Sequence, residues 1–134
     1  MKIKTLLLIN GILTALYAVM LLFMRENFLE MRGMHTDAYG MFIILLFGVP
    51  SQTGYAVLNI LVSRSQNQET LQLVSTINFI TWTLGLIILL YGKMKLEMSA
   101  MVWGDIAFAM IFSIAFAYYV FSKQIYNYTK SRKL

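Results

Sequence analysis

The chain has no cysteine, one proline (Pro50), one histidine (His35) and only 13% charged residues. The absence of cysteine excludes disulfides, thiol redox chemistry, iron–sulfur clusters and thiolate-bound zinc. A single histidine excludes bis-histidine haem. A metal site built on His35 with Glu26, Glu30 and Asp37 would rest on one nitrogen, so neither metal nor cofactor is expected. No glycine-rich phosphate loop, Gly-x-Ser-x-Gly elbow or zinc-binding helix motif is present. Soluble domains carry about 25% charged residues, so the low value here speaks against a soluble fold.

Hydrophobic residues make up 59% of the 134 positions and fall into four long runs. They predict helices over about 5–23, 40–63, 72–91 and 99–121, each close to the ~20 residues that cross a bilayer. The expected fold class is all-α. It is an integral membrane bundle of four transmembrane helices in one domain, 1–134, with antiparallel up-down topology. Lys2 and Lys4 precede the first run as in a signal peptide, but no small-x-small cleavage site follows, so a retained helix is expected.

The net charge is +5. Because the basic residues flank apolar runs, lipid headgroups explain it better than nucleic acid, which is not expected as a partner. Lys2, Lys4, Arg64, Lys123, Lys130, Arg132 and Lys133 share one side; Arg25, Arg32, Lys93 and Lys95 share the other. That bias predicts a multi-pass protein of the cell membrane with both termini cytoplasmic.

The segment 24–39 is too long for a simple turn. Met24, Phe28 and Met31 recur at helical spacing, and Gly33 would end the helix. It either lies at the interface or packs over the mouth of the bundle. In the tail 122–134, Tyr126 and Tyr128 alternate with basic residues, a pattern of interfacial anchoring.

The second run carries Gly48, Pro50, Ser51, Gln52, Thr53 and Gly54 at mid-span. In hydrocarbon such polar groups need partners from neighbouring helices. Pro50 frees the carbonyl near Leu46, which Ser51 or Thr53 could satisfy, and predicts a mild kink. Polar or small residues recur at helical spacing in every run: Asn10, Thr14 and Tyr17; Gly48, Gln52, Tyr55 and Asn59; Ser75, Asn78, Trp82 and Gly85; Asp105, Ala109, Ser113 and Phe116. These stripes should face one another. Asn10, Asn59 and Asn78 lie at similar depth and should bond across helices.

Two readings compete for this seam, interhelical packing and a ligand pocket. The candidate ligand-binding residues are Asp105, Tyr17, Gln52, Tyr55, Trp82, Asn78, Asn10 and Asn59. Asp105 is the one carboxylate well inside a run, and such residues are functional candidates. Its depth suggests a bond from the Tyr17 hydroxyl, or an ion pair with Lys93 or Lys95.

Ile9-Asn10-x-Ile12 and Ile77-Asn78-x-Ile80 match at an offset of 68, which also pairs Asp37 with Asp105. This fits a weak 2+2 parallel repeat.

Leu6-Leu-Leu-Ile-Asn10, Leu45-Leu-Phe-Gly48, Trp103-Gly-Asp105 and Ala115-Phe-Ala-Tyr118 give the whole chain a further likeness. It resembles a broad group of small four-helix membrane proteins of bacteria and archaea, most without an assigned activity. Arg25-Glu26 stands where that group suggests Pro-Glu, and Pro50 to Thr53 is more polar than the group's pattern. The resemblance implies the fold and no site residue. Small multidrug transporters need a glutamate in the first helix, which is absent here, and quinone-linked thiol oxidases need cysteines.

The leading expectation is therefore a non-enzymatic bundle in the lipid bilayer. It would bind a lipid-like or small apolar ligand, or pair as a homodimer or with a partner membrane subunit. One alternative is a small transporter or channel subunit using Asp105 and Pro50 to Thr53. Another is a membrane enzyme with His35, Asp37 and Asp105 at the outer mouth.

Overall fold

The structure is a computed structural model that describes residues 2–131, with side chains described for residues 2–122. It is all-helical, with no strand among the described residues. Helix α1 spans Ile3–Phe23, α2 Arg25–Glu30 and α3 Ala38–Ile43. A π-helical turn, Ile44–Gly48, joins α3 to α4, Val49–Ser63. Helix α5 spans Gln68–Lys95 and α6 Val102–Ser131. Four stretches are long and apolar enough to cross a membrane: Ile3–Phe23, Ala38–Ser63, Gln68–Lys95 and Val102–Ser122. Tyr126 and Tyr128 and the distal basic tail lie outside the described side chains.

The third span is longer than its apolar run suggests, 68–95 rather than 72–91. Asn67 caps its start, accepting from the N–H groups of Glu69 at 2.8 Å and Thr70 at 3.3 Å. At the other end the Lys93 ammonium donates to the carbonyls of Met98 and Ser99. Backbone bonds continue past the apolar stretch because polar side chains there do not oppose helix. The fourth helix begins later than expected, at Val102 rather than Ser99. Ser99 is instead taken into the turn, donating its hydroxyl to Met31 O at 2.6 Å.

The helix around Pro50 is not a regular α-helix throughout. The turn just before it is π-helical. Proline has no N–H to give and crowds the carbonyl four residues earlier; a wider turn relieves that crowding. The hydroxyl of Ser51 donates to Gly48 O at 3.0 Å and that of Thr53 to Val49 O at 2.8 Å. Neither reaches Leu46, so the expectation that they satisfy its carbonyl is corrected.

Two helix pairs make up the bundle. Along α1 and α4 the contacts run from Lys4, which donates to Gln66 Oε1 at 3.0 Å, to Gly11. There an added Cβ would lie 2.7 Å from Ile60 Cγ1 and 3.0 Å from Ala56 O. They end where Leu21 meets Gly48. Only glycine permits the approach at position 11. Helix α5 pairs with α6, where Thr83 and Ser113 share a hydroxyl bond of 2.7 Å. Leu6, Leu7, Val62, Leu71, Val74, Phe112 and Phe116 join the pairs in one apolar core.

Segment 24–37 folds back over the mouth. Helix α2 buries Phe28 and Leu29 against Leu21. Met24 and Met31 are exposed, so the Met24/Phe28/Met31 face does not act as a unit. Gly33, at φ +70°, ends the helix. Its N–H donates to Glu30 O and that of Met34 to Leu29 O, at 2.8 and 2.9 Å. This is the two-bond closure that favours glycine in the left-handed position.

Candidate functional site

The three asparagines meet. Each is fully buried, and Asn78 stands at their centre. Its amide nitrogen donates to Asn59 Oδ1 at 2.9 Å and to Val74 O at 2.7 Å. Its amide oxygen accepts from Asn10 Nδ2 and from the Tyr55 hydroxyl. Two donors and two lone pairs are all a carboxamide offers, so Asn78 is saturated. Asn10 Oδ1 accepts from the Trp82 indole at 3.1 Å, and Asn59 Nδ2 donates to Tyr55 O at 2.8 Å. No buried side-chain nitrogen or oxygen among the described residues lacks a partner. In a low-dielectric interior such a network binds α1, α4 and α5 firmly and leaves no group free for a ligand.

Trp82 stacks on Phe112 with centroids 5.0 Å apart and meets Phe108 edge-on. That contact, not an interfacial role, holds its ring.

Asp105 is held by a residue the sequence did not suggest. Arg32 Nε donates to Oδ2 at 2.7 Å and Nη2 to Oδ1 at 2.9 Å. The expected partners Tyr17, Lys93 and Lys95 do not bond it. Lys93 is engaged with loop carbonyls, and Tyr17 packs edge-on against Phe28, centroids 5.0 Å apart. The guanidinium also lies 3.7 Å from the centre of the Phe28 ring and donates to Phe28 O at 3.1 Å. A planar fork suits this task, since a lysine could not bond both carboxylate oxygens in parallel. Arg32 lay 73 residues from Asp105 in sequence; its preference for bidentate carboxylates was the one signal that could have singled it out. Next to the pair, the Ser99 N–H donates to Arg32 O at 3.0 Å. Together these bonds clasp the mouth segment to α6.

Compared with protein-family models, curated proteins and solved structures, the chain matches none of them.

The remaining candidates are not drawn together. His35 is exposed. Asp37 caps α3, its Oδ1 accepting from Gly40 N at 2.7 Å. No group of three or more histidine, aspartate or glutamate side chains that could hold a metal forms among the described residues. A small cleft lined by Ile3, Leu71, Gln72, Ser75 and Tyr119 includes none of the expected ligand-binding residues.

Gln52 stands apart. It is half-buried at mid-span and, alone among the amides of the seam, takes no hydrogen bond from any described residue.

Proposed function

We propose that this chain is a non-enzymatic protein of the cell membrane that binds a lipid-like or small apolar molecule, or a partner membrane subunit. The observation that carries the reading is the contrast between Asn78 and Gln52. The inner polar layer closes on itself and serves to hold the helices. The amide of Gln52 keeps its donors and acceptor free where no water can satisfy them. A membrane molecule or a second protein surface supplies what that amide lacks. The transport and enzymatic alternatives draw on Asp105, and both of its oxygens are engaged by Arg32.

Both termini face the cytoplasm in this proposal, following the lysine and arginine bias, and the spanning helices run alternately up and down. The succession of contacts Lys4–Gln66, Gly11–Ile60 and Leu21–Gly48 supports that arrangement. The two halves descend from one two-helix unit. The bond between Asn10 and Asn78, residues at the matching offset, supports a parallel repeat.

Native mass spectrometry from mild detergent tests the binding reading. A bound lipid-sized mass, or a defined oligomer, is expected. A bare monomer under every gentle condition would contradict it.

A further inference from the structure

We infer that the mouth of the bundle binds a soft monovalent cation, Cu(I), through the thioether sulfurs of Met31, Met98 and Met101.

Methionine is unevenly spread along the chain. Seven of the ten fall in residues 24–41 and 94–101, which hold 26 of the 134 positions. Core packing does not account for this, since Met31 is 52% exposed and Met101 47%.

The fold joins these two segments backbone to backbone, and Ser99 is the joint. Its hydroxyl donates to Met31 O at 2.6 Å and accepts from Met101 N at 3.3 Å. Its N–H donates to Arg32 O at 3.0 Å. A Cβ added at Gly33 would lie 3.0 Å from Ser99 N and 3.2 Å from Glu97 O, so glycine is what lets the segments close this tightly. Met98 directly precedes Ser99, and its sulfur packs over Gly92, 3.2 Å from where a Cβ there would stand. Lys93 steadies the same loop by donating to the carbonyls of Met98 and Ser99. Met31, Met98 and Met101 are thus gathered around one hydroxyl on a firmly bonded backbone. Their side chains are unbranched and adaptable, which lets the sulfurs turn toward a common centre. None of the three sulfurs takes a hydrogen bond among the described residues.

The identity of the ion follows from the ligands. His35 and the carboxylates form no metal-holding group, but thioether sulfur is a different class of donor. It is soft and selects Cu(I), whereas Mg2+, Ca2+ and Mn2+ call for carboxylate, carbonyl and water oxygens. With no cysteine in the chain, no thiolate competes. The local charge is also permissive. The chain as a whole is +5, yet segments 24–39 and 92–105 carry five acidic and four basic residues, so a cation meets no net positive charge there. Arg32 is matched by Asp105. The site lies apart from the asparagine layer and from Gln52, and stands or falls independently of the lipid or subunit reading.

The test is equilibrium dialysis of the full-length protein in mild detergent against Cu(I), kept reduced with ascorbate and supplied as its weak acetonitrile complex. One Cu(I) per chain is expected, with sulfur as the scatterer around the metal in copper X-ray absorption. Leucine in place of methionine keeps volume and apolarity and removes only the sulfur, so the variants should fold. Met31→Leu, Met98→Leu and Met101→Leu should each weaken binding at least about tenfold, since even outer-shell partners of a metal are worth about 10–100-fold. The triple variant should bind none. Met110→Leu, in the middle of α6, and His35→Ala should leave the affinity unchanged. Absence of Cu(I) binding, binding that survives the triple substitution, or a first shell of nitrogen and oxygen would overturn the site. Loss of binding in His35→Ala would overturn the all-thioether ligand set, and displacement of Cu(I) by Zn2+ would overturn its softness.

Discussion

Replacing Asp105 with leucine should release the mouth segment from α6 without loosening the inner core. The ion pair is bidentate, with bonds of 2.7 and 2.9 Å, and its side chains are 11% exposed for arginine and 29% for aspartate. Removing one partner of a buried pair costs about 3–5 kcal/mol. Asp105 is only partly buried, and Arg32 keeps its contacts with Phe28, so about 2 kcal/mol is the reasoned loss, nearer the value for hydrogen bonds to a charged group. Asp105→Asn, which keeps one acceptor oxygen, should cost about half as much, roughly 1 kcal/mol. Arg32→Lys should resemble it, because an ammonium cannot reproduce the fork. Detergent-unfolding titrations give the energies. Hydrogen exchange gives the location: the Ser99 amide, bonded to Arg32 O, should lose protection, while amides near Asn78 keep theirs. Wild-type stability for Asp105→Leu together with an unchanged Ser99 amide would refute the clasp.

Gly11→Ala should destabilise by about 1–3 kcal/mol, since its Cβ would collide with Ile60 and the Ala56 carbonyl. Gly85→Ala, with open space before it, should be neutral or stabilising by up to about 1 kcal/mol through helix propensity; thermal melts of the pair compare the two directly, and equal effects would contradict the packing. Gly33→Ala should cost at least about 1–2 kcal/mol from its left-handed backbone, read as a lower melting temperature, and a wild-type value would count against the strain. In a background without native cysteine, Thr36→Cys should react with an impermeant thiol reagent applied outside cells and Gln66→Cys should not; the reverse pattern would invert the proposed topology.

The positions of the four spans were legible because length and hydropathy decide membrane crossing almost alone. Asn10, Asn59 and Asn78 could be grouped by depth, and Gly33 read as a helix stop, because both rest on local periodicity and backbone chemistry. The π turn was not legible beyond the presence of Pro50, since a kink and a wider turn relieve the same clash. The ends of α5 were missed because Asn67 and Lys93 act through backbone groups that a hydropathy count does not see. The Arg32–Asp105 pair depends on where segment 24–37 folds back, a tertiary fact, and Lys93 and Lys95 were nearer in sequence. For Gln52 the stripe at helical spacing indicated the inward face, but only packing distinguishes a saturated amide from an open one.

The claim that the asparagine layer joins the two helix pairs is tested most directly by a double-mutant cycle on Asn10→Leu and Asn78→Leu. Unfolding free energies of the wild type, both single variants and the double variant isolate their coupling. A coupling of about 0.6–1.7 kcal/mol is predicted, the range of interhelical hydrogen bonds in membranes. Single effects that add to within about 0.3 kcal/mol would mean the two residues act independently and would contradict a shared lock between the helices.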